Sequence, residues 1–192
     1  LPLPSDSGTR YKQMFLNGLC IAVHPSNNLD NIAISDLRDV YTNVTTNWSA
    51  FPSSGLNTTI GAIGRDPTAG QYTFFQQAVL NGKTQASNVS VVPTDGQVSV
   101  AVSKNPDGIG YVGLAHARPE DGVKKLKVDG QPCQPSAIKT LDYPLSQYIW
   151  LVVPKTNPDP AVIKFGRWVA TSHKAGEILT KAGGVPATNK GF

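Results

Sequence analysis

The residues best suited to chemistry lie between a short apolar run and a helical pattern. Ile60 to Gly64 predicts a buried strand. The spacing of Tyr72, Phe75 and Val79 predicts a helix that Asn81-Gly82 ends. The connection between the two elements is Arg65-Asp66-Pro67-Thr68-Ala69-Gly70-Gln71.

Such a connection can bind an oxyanion. The first N–H groups of a helix lack intrahelical partners and carry partial positive charge. Small residues let an anion approach them, and Arg65 can contact phosphate or carboxylate oxygens with two N–H groups. The alternative is an ordinary strand-to-helix turn with a solvated or structurally paired arginine. A second loop also begins a predicted helix and could bind an anion in the same way, but it has no cationic residue. This loop is Thr94-Asp95-Gly96-Gln97.

The other reactive side chains do not form a catalytic pattern. His24, His116 and His173 lack metal-ligand spacing, and neither Cys20 nor Cys133 has the sequence context of a cysteine nucleophile. The chain contains no Gly-x-Ser-x-Gly motif. We therefore predict that the protein is not an enzyme and has no metal site and no cofactor.

Charge and hydropathy exclude two further classes of function. The net charge is +4, and the densest cationic cluster, Lys124, Lys125 and Lys127, alternates as on a solvated strand face. Because aromatic residues are not interleaved with it, we predict no nucleic-acid binding. The sequence has no apolar run of about 18 residues and does not begin like a signal peptide. The expectation is a mature or trimmed form of the chain.

Two features depend on the compartment. Cys20 and Cys133 fit either one disulfide or two buried thiols. Asn-x-Ser/Thr sequons matter only if the source is a eukaryotic secretory pathway, and four occur, at Asn43, Asn47, Asn57 and Asn88.

The elements alternate between strands and helices, which predicts an α/β fold with a mixed sheet flanked by helices. Residues 1–18 look polar and turn-rich, and Ser35 looks like a helix N-cap. Residues 42–58 are predicted to form a loop, and the Pro-rich stretch at 154–160 could cross between two lobes. Strands are predicted near 19–23, 60–64, 89–92, 109–112, 123–128 and 148–153, and helices after Ser35, Gly70, Thr94, Asp159 and near Ala175.

In order and spacing, several segments covering roughly residues 19–187 resemble the periplasmic phosphate-binding proteins of bacterial phosphate ABC transporters. The matching segments are Ile21-Ala22-Val23-His24-Pro25-Ser26-Asn27, Ile34-Ser35-Asp36-Leu37-Arg38-Asp39-Val40-Tyr41, Asn47-Trp48, Gly64-Arg65-Asp66, Ala69-Gly70, Gly108-Ile109-Gly110-Tyr111-Val112-Gly113, Tyr143-Pro144-Leu145 and Ala182-Gly183-Gly184-Val185-Pro186.

The resemblance implies a clam-shell fold in which loops and helix N-termini hold the ligand between two lobes. Residues 19–147 would form mostly the second lobe, and residues 148–192 the returning part of the first. Arg65 and Gly70 match the family's ligand-binding residues, whereas Ala69 and Gln71 stand where the family has serine and threonine. Thr68 could restore one hydroxyl donor, and Asp6, after Ser5, could match a ligand-binding aspartate of the first lobe.

The same resemblance implies partners and a location. The family's long N-terminal segment has no counterpart here, and Ser7-Gly8-Thr9-Arg10 is interpreted as a coincidental match to a family loop because no helix or strand is predicted beside it. The expected function is extracytoplasmic binding of phosphate or a related oxyanion. The expected partners are an ABC transporter permease or a second chain that completes the clam-shell. The alternative is a structural or interaction protein that reuses the scaffold with a degenerate anion site.

Overall fold

The computed structural model describes residues 8–156 and 159–186. The chain divides into two compact units. The large unit is Gly18–Ser146, and the small unit combines Leu1–Asn17 with Gln147–Phe192. The first strand, β1 (Thr9–Val23), contributes residues to both units.

The large unit is built on a mixed sheet with the order β2-β6-β1-β5-β3-β4. The segment of β1 that begins at Gly18 pairs antiparallel with β5 and β6, whereas β3 lies parallel between β5 and β4. The remaining bounds are β2 (Asn31–Ile32), β3 (Gly61–Arg65), β4 (Ser90–Val92), β5 (Gly108–Gly113) and β6 (Lys124–Val128). The predicted α/β class with a mixed sheet is confirmed.

Four helices belong to the large unit among the described residues: α1 (Ile34–Tyr41), α2 (Gly70–Ala78), α3 (Asp95–Ser103) and α4 (Pro135–Thr140). Helix α3 lies close against β5 because Gly110 has no side chain. A Cβ at Gly110 would lie 2.6 Å from Val98 Cγ1. The absence of a side chain at Gly110 thus lets α3 pack directly on β5.

The core of the large unit is aromatic and cross-linked. Tyr41, Phe75 and Tyr111 pack together, and Phe75 is fully buried with its ring stacked on that of Tyr111 at 4.0 Å. The Tyr41 hydroxyl donates to the carbonyl oxygen of Ile63 at 3.0 Å, which satisfies a buried polar group. Cys20 and Cys133 form a disulfide, so of the two alternatives that the sequence left open, the disulfide is confirmed.

The described part of the small unit contains strand segments and two helices. The amino-terminal part of β1 pairs with β7 (Ser146–Pro154) and with β8 (Val185–Pro186). Helices α5 (Pro160–Thr171) and α6 (His173–Lys181) pack on each other. The Asp159 side chain accepts from Ala161 N–H at 2.7 Å, and Pro160 follows it in the first turn, as the sequence predicted. No helix among the described residues is long and apolar enough to cross a membrane.

Several local predictions were wrong. Strand β1 begins at Thr9, so Thr9 and Arg10 lie in a strand rather than in a turn-rich segment. Ser35 lies inside α1, whose N-cap is Ala33. The loop at 42–58 contains two short 3-10 turns, Trp48–Ala50 and Pro52–Ser54. Both ends of the Pro-rich stretch at 154–160 fall in the small unit, so it is not a crossing between units.

Candidate functional site

The predicted connection between strand and helix is present. Strand β3 ends at Arg65, and α2 begins at Gly70 with Ala69 as an N-cap that supplies no side-chain hydrogen bond. Because the first N–H groups of a helix have no intrahelical acceptors, Gly70 and Gln71 present uncapped backbone donors. A Cβ at Gly70 would meet no atom within 4 Å, so this end of the helix is open.

Within the connection, Asp66 closes a local turn. Asp66 Oδ1 accepts from both the Thr68 hydroxyl at 2.6 Å and the Thr68 N–H at 2.8 Å. These two hydrogen bonds, the hydroxyl one first, lower the pKa of Asp66. The Thr68 hydroxyl proton is therefore already used, and the Ala69 N–H also donates within the turn, to the Asp66 carbonyl at 2.9 Å. The prediction that Thr68 and Ala69 contact a ligand stays a prediction, and in this structure both groups donate to Asp66.

Arg65 is buried and paired inside the protein. Its side chain is 9% exposed, and its Nη1 forms an ion pair with Asp95 Oδ1. Nη2 donates to the Pro93 carbonyl at 2.8 Å. The third nitrogen, Nε, is buried without a hydrogen-bond partner among the described residues. A buried N–H left unpaired is unfavourable by about 1–3 kcal/mol, so an acceptor is expected there.

The partner carboxylate, Asp95, gathers donors from three elements. Besides Arg65, the Gln71 side-chain amide donates to Asp95 Oδ2 at 3.1 Å, and the Gly113 N–H donates to the same oxygen at 3.0 Å. Asp95 is the first residue of α3, next to a capping box formed by Thr94 and Gln97. A guanidinium, an amide and a backbone N–H are the donors that bind oxyanions in proteins. Here an internal carboxylate engages them.

A second group of contacts positions the Arg65 backbone. The Tyr111 hydroxyl accepts from the Arg65 N–H at 2.9 Å, and the Gln85 side-chain amide donates to the Arg65 carbonyl at 3.2 Å. Burial raises the pKa of Tyr111 to about 12, and the hydrogen bond from Arg65 N–H opposes part of that shift. The backbone of Arg65 is therefore hydrogen-bonded at both its N–H and its carbonyl group, which fixes the end of the strand that carries the guanidinium.

The structure brings only some of the predicted site residues together. Arg65 and Gln71 meet on one carboxylate, and Gly70 lies at the open helix end beside them. Asp6 lies outside the described residues. Sequence reasoning missed Asp95 as the partner of Arg65, together with Gln85 and Tyr111. Only the pairing of β3 with β4 and β5 brings these positions to the same end of the sheet.

The three histidines were not predicted to be site residues, and two of them lie in other surroundings. The ring of His24 contacts the Ser26 hydroxyl in a turn, and His173 is 94% exposed beside Glu177. His116 lies closer, since a Cβ at Gly96 would be 3.9 Å from His116 Nδ1. Among the residues that the structure describes, no group of three or more His, Cys, Asp or Glu is placed to hold a metal ion.

The sequence of the chain matches one known family. A sequence family described as the PBP superfamily domain matches residues 5–173, and the chain belongs to it. Among curated proteins, the chain is similar to the phosphate-binding protein PstS of Staphylococcus epidermidis, with 28% identity over 155 residues, which is 76% of this chain and 47% of that protein. PstS of Staphylococcus aureus USA300 is 27% identical over 157 residues, with 77% and 47% coverage. The chain thus spans about half the length of the curated relatives it matches.

Solved structures show the same fold. A putative phosphate ABC transporter substrate-binding protein with bound phosphate, from Clostridium perfringens, superposes with a TM-score of 0.85 at 20% identity, covering 97% of this chain and 76% of that chain. PstS from Borrelia burgdorferi gives a TM-score of 0.76 at 21% identity, with 98% and 78% coverage. The periplasmic-binding-protein-like α/β fold expected from the sequence is therefore confirmed.

Proposed function

We propose that the large unit binds phosphate or a related tetrahedral oxyanion at the start of α2 and performs no chemistry on it. Arg65 would supply its Nε–H, and Gly70 and Gln71 would supply backbone N–H groups. The observation that carries the proposal is the buried Arg65 Nε, which has no partner among the described residues and belongs to a residue that ends the strand before an open, uncapped helix. The relatives named for phosphate binding and phosphate transport support the choice of anion.

The Arg65–Asp95 ion pair limits the affinity that this site can reach. Asp95 neutralises the guanidinium and already accepts three hydrogen bonds. An incoming dianion would meet a nearly neutral ion pair, so the Coulomb attraction that an unpaired arginine offers is largely lost. We expect the anion to bind more weakly than it would to a site with a free guanidinium.

This same ion pair supports a second candidate function. In it, the chain keeps the binding-protein scaffold for a structural or interaction role, and Asp95 permanently fills the anion site as an internal ligand. A buried carboxylate with a cation and two neutral donors needs no external anion to be satisfied. The two candidate functions differ in whether an external oxyanion binds at this site, either beside Asp95 or in its place.

Calorimetric titration with phosphate, sulfate, molybdate and tungstate at fixed ionic strength tests both candidates. The wild-type protein should release or absorb heat with at least phosphate. Arg65→Lys, which keeps the charge but removes Nε and the planar fork, should weaken binding about 10- to 100-fold, as expected for loss of a charge-assisted hydrogen bond. Arg38→Lys is the matched control, because Arg38 Nε donates only to the Val79 carbonyl, at 2.7 Å.

Asp95→Asn separates the two candidates. If the carboxylate merely weakens the anion site, the variant should bind phosphate more tightly than the wild type, since one negative charge is gone. If neither the wild type nor Asp95→Asn gives heat with any of the four anions, the oxyanion receptor is excluded and the scaffold role remains. Circular dichroism of each variant would verify that the fold is intact.

The proposal extends to location and partners. A disulfide between Cys20 and Cys133 favours an oxidising, extracytoplasmic compartment, which agrees with the transport receptors to which the chain is similar. We propose that the bound anion is delivered to an ABC transporter permease, or that a second chain completes the binding unit. Cross-linking in the source cell, followed by mass spectrometry, should recover a permease subunit or a second polypeptide. Recovery of the monomer alone would exclude both partners.

A further inference from the structure

The four Asn-x-Ser/Thr sequons all lie in the large unit. They are Asn43-Val44-Thr45, Asn47-Trp48-Ser49, Asn57-Thr58-Thr59 and Asn88-Val89-Ser90. Asn43, Asn57 and Asn88 are exposed, whereas Asn47 is only partly exposed. Three of the four asparagines are therefore accessible on the folded protein.

The sheet brings the sequons to one end of the large unit. Asn57 lies before β3, where Thr59 bridges to Asn47. Asn88 precedes β4, which runs parallel to β3, and its Nδ2 donates to Asn43 Oδ1 at 2.8 Å. The sequons thus gather at the amino ends of β3 and β4.

Arg65 and Asp95 lie at the other end of the same strands. Arg65 is the last residue of β3, and Asp95 follows the end of β4. Five strand residues at about 3.3 Å each separate the two ends by about 13–17 Å. Bulky groups attached at the sequons would therefore leave the start of α2 open.

The Cys20–Cys133 disulfide is the second, independent observation. It is typical of a protein that folds in an oxidising compartment, and the lumen of the eukaryotic secretory pathway is one such compartment. In that compartment, exposed sequons are acceptors of N-linked oligosaccharide.

We propose that Asn43, Asn57 and Asn88 each carry an N-linked oligosaccharide. In the reaction, the asparagine Nδ2 attacks the anomeric carbon of an oligosaccharide linked to a polyprenyl diphosphate. A C–N glycosidic bond forms, the C–O bond to the diphosphate breaks, and the polyprenyl diphosphate leaves with that electron pair. The amide nitrogen loses one proton to a base of the transferase, and no oxidant or reductant is involved.

The local geometry tolerates the product at these three positions. Asn88 Nδ2 keeps one proton after glycosylation, which can still donate to Asn43 Oδ1. Asn43 lies in a left-handed turn conformation (φ 63°) directly after α1, so its side chain stands at a turn. Asn47 is excluded from the proposal because it is only partly exposed and the next residue of its sequon, Trp48, is fully buried.

The test is glycopeptide mass spectrometry on the protein isolated from its natural source. Peptide N-glycosidase treatment in heavy-oxygen water converts each glycosylated asparagine into labelled aspartate. The expected result is label at positions 43, 57 and 88 and an unlabelled Asn47. A native protein that lacks label at any of the three positions, or that carries label at Asn47, would overturn the proposal.

A matched pair of variants checks one site without altering the acceptor asparagine. In a eukaryotic secretory host, Thr59→Ser keeps the sequon at Asn57, and Thr59→Ala removes it. The mass of the intact secreted protein should fall by one oligosaccharide only in Thr59→Ala. Masses that differ only by the one oxygen atom between serine and alanine, with Asn57 unmodified in both variants, would contradict the assignment of that site.

Discussion

Aromatic side chains occupy opposite environments in the two units. In the large unit, Phe75 is fully buried between Tyr41 and Tyr111. In the small unit, Phe165 is 57% exposed and Trp168 is 42% exposed. Residues of the same type thus close a core in one unit and remain open to solvent in the other.

The small unit's exposed aromatics border an apolar groove. The groove has a volume of about 470 Å³ and lies between β7 and helices α5 and α6, with Trp150, Leu151 and Ile178 among its lining residues. No described residue of the small unit fills it. A unit of this size buries little apolar surface per residue, so an unfilled groove leaves it with low intrinsic stability.

The net charge also differs between the two units. The small unit carries eight cationic and three acidic residues, a net charge of +5, whereas the large unit carries nine and ten, a net charge of −1. The positive charge of the whole chain therefore belongs to the small unit. Like charges on a small, incompletely closed unit add self-repulsion, which lowers its stability further.

The comparison teaches that stability and the candidate anion site reside in the same unit. The disulfide, the aromatic core and the Arg65–Asp95 pair all lie in the large unit. We therefore expect two unfolding transitions, with the small unit melting first. Trp48 reports on the large unit, and Trp150 and Trp168 report on the small one, so variants that retain one set of tryptophans can follow each transition separately.

Replacing both cysteines should have the largest effect on this difference. The disulfide joins residues 113 apart in sequence. Loop-closure entropy predicts that Cys20→Ser/Cys133→Ser lowers the free energy of unfolding of the large unit by about 4–5 kcal/mol. Urea denaturation followed by Trp48 fluorescence measures this loss. The Trp150 and Trp168 transition is the internal control, and an equal loss there would show that the units do not unfold separately.

A matched pair of phenylalanine substitutions is expected to give the next largest difference. Phe75→Ala opens a cavity between Tyr41 and Tyr111 and should destabilise the large unit by about 3–5 kcal/mol. Phe165→Ala removes a ring that is already 57% exposed and should cost the small unit less than about 1 kcal/mol. Similar losses for the two variants would mean that the small unit's face is covered in solution.

The sequence could predict those parts of the fold that depend on local patterns. Strands such as β3 and β5, and the Asp159–Pro160 start of α5, follow from apolar runs and local capping chemistry. Helix α4 was missed because its six residues are too few to show a helical period. The amino-terminal part of β1 was missed because its residues are mostly polar or only half-buried, and their pairing with β7 and β8 depends on segments more than 100 residues away.

The candidate site was predictable only in part, for a related reason. Arg65, Gly70 and Gln71 are local to one strand-to-helix connection, so their grouping followed from the sequence. Asp95 lies 30 residues beyond Arg65, and only the parallel pairing of β3 with β4 brings the two together. A carboxylate at the first position of α3 has a sufficient local explanation in the helix dipole, which concealed its role as the partner of Arg65.

Alkaline pH should weaken the large unit by a smaller amount. Burial raises the pKa of Tyr111 to about 12 from its ordinary value of 10.0, so the neutral phenol is favoured in the folded state. The resulting stability is fully present below pH 10 and is lost as the pH rises from 10 through 12. The loss should be on the order of 2–3 kcal/mol.

Tyrosinate absorbance and urea denaturation between pH 9 and 12 measure this loss. Tyr111→Phe is the control, because it removes the titrating hydroxyl and keeps the ring stacked on Phe75. The slope of stability against pH should be shallower in that variant above pH 10. The same slope in both proteins would assign the alkaline transition to other groups, such as Tyr41, whose pKa is also raised by burial.

The smallest expected change in stability comes from Trp168→Ser on the small unit. Trp168 is 42% exposed and borders the apolar groove, so its loss should change the free energy of unfolding by about 1 kcal/mol or less. Its effect on a hydrophobic dye should be larger, because the dye binds exposed apolar surface. We expect native wild-type protein to enhance the dye's fluorescence and Trp168→Ser to reduce that enhancement at least twofold. Trp48→Phe in the closed core is the control, and an equal reduction there would mean that the dye binds elsewhere.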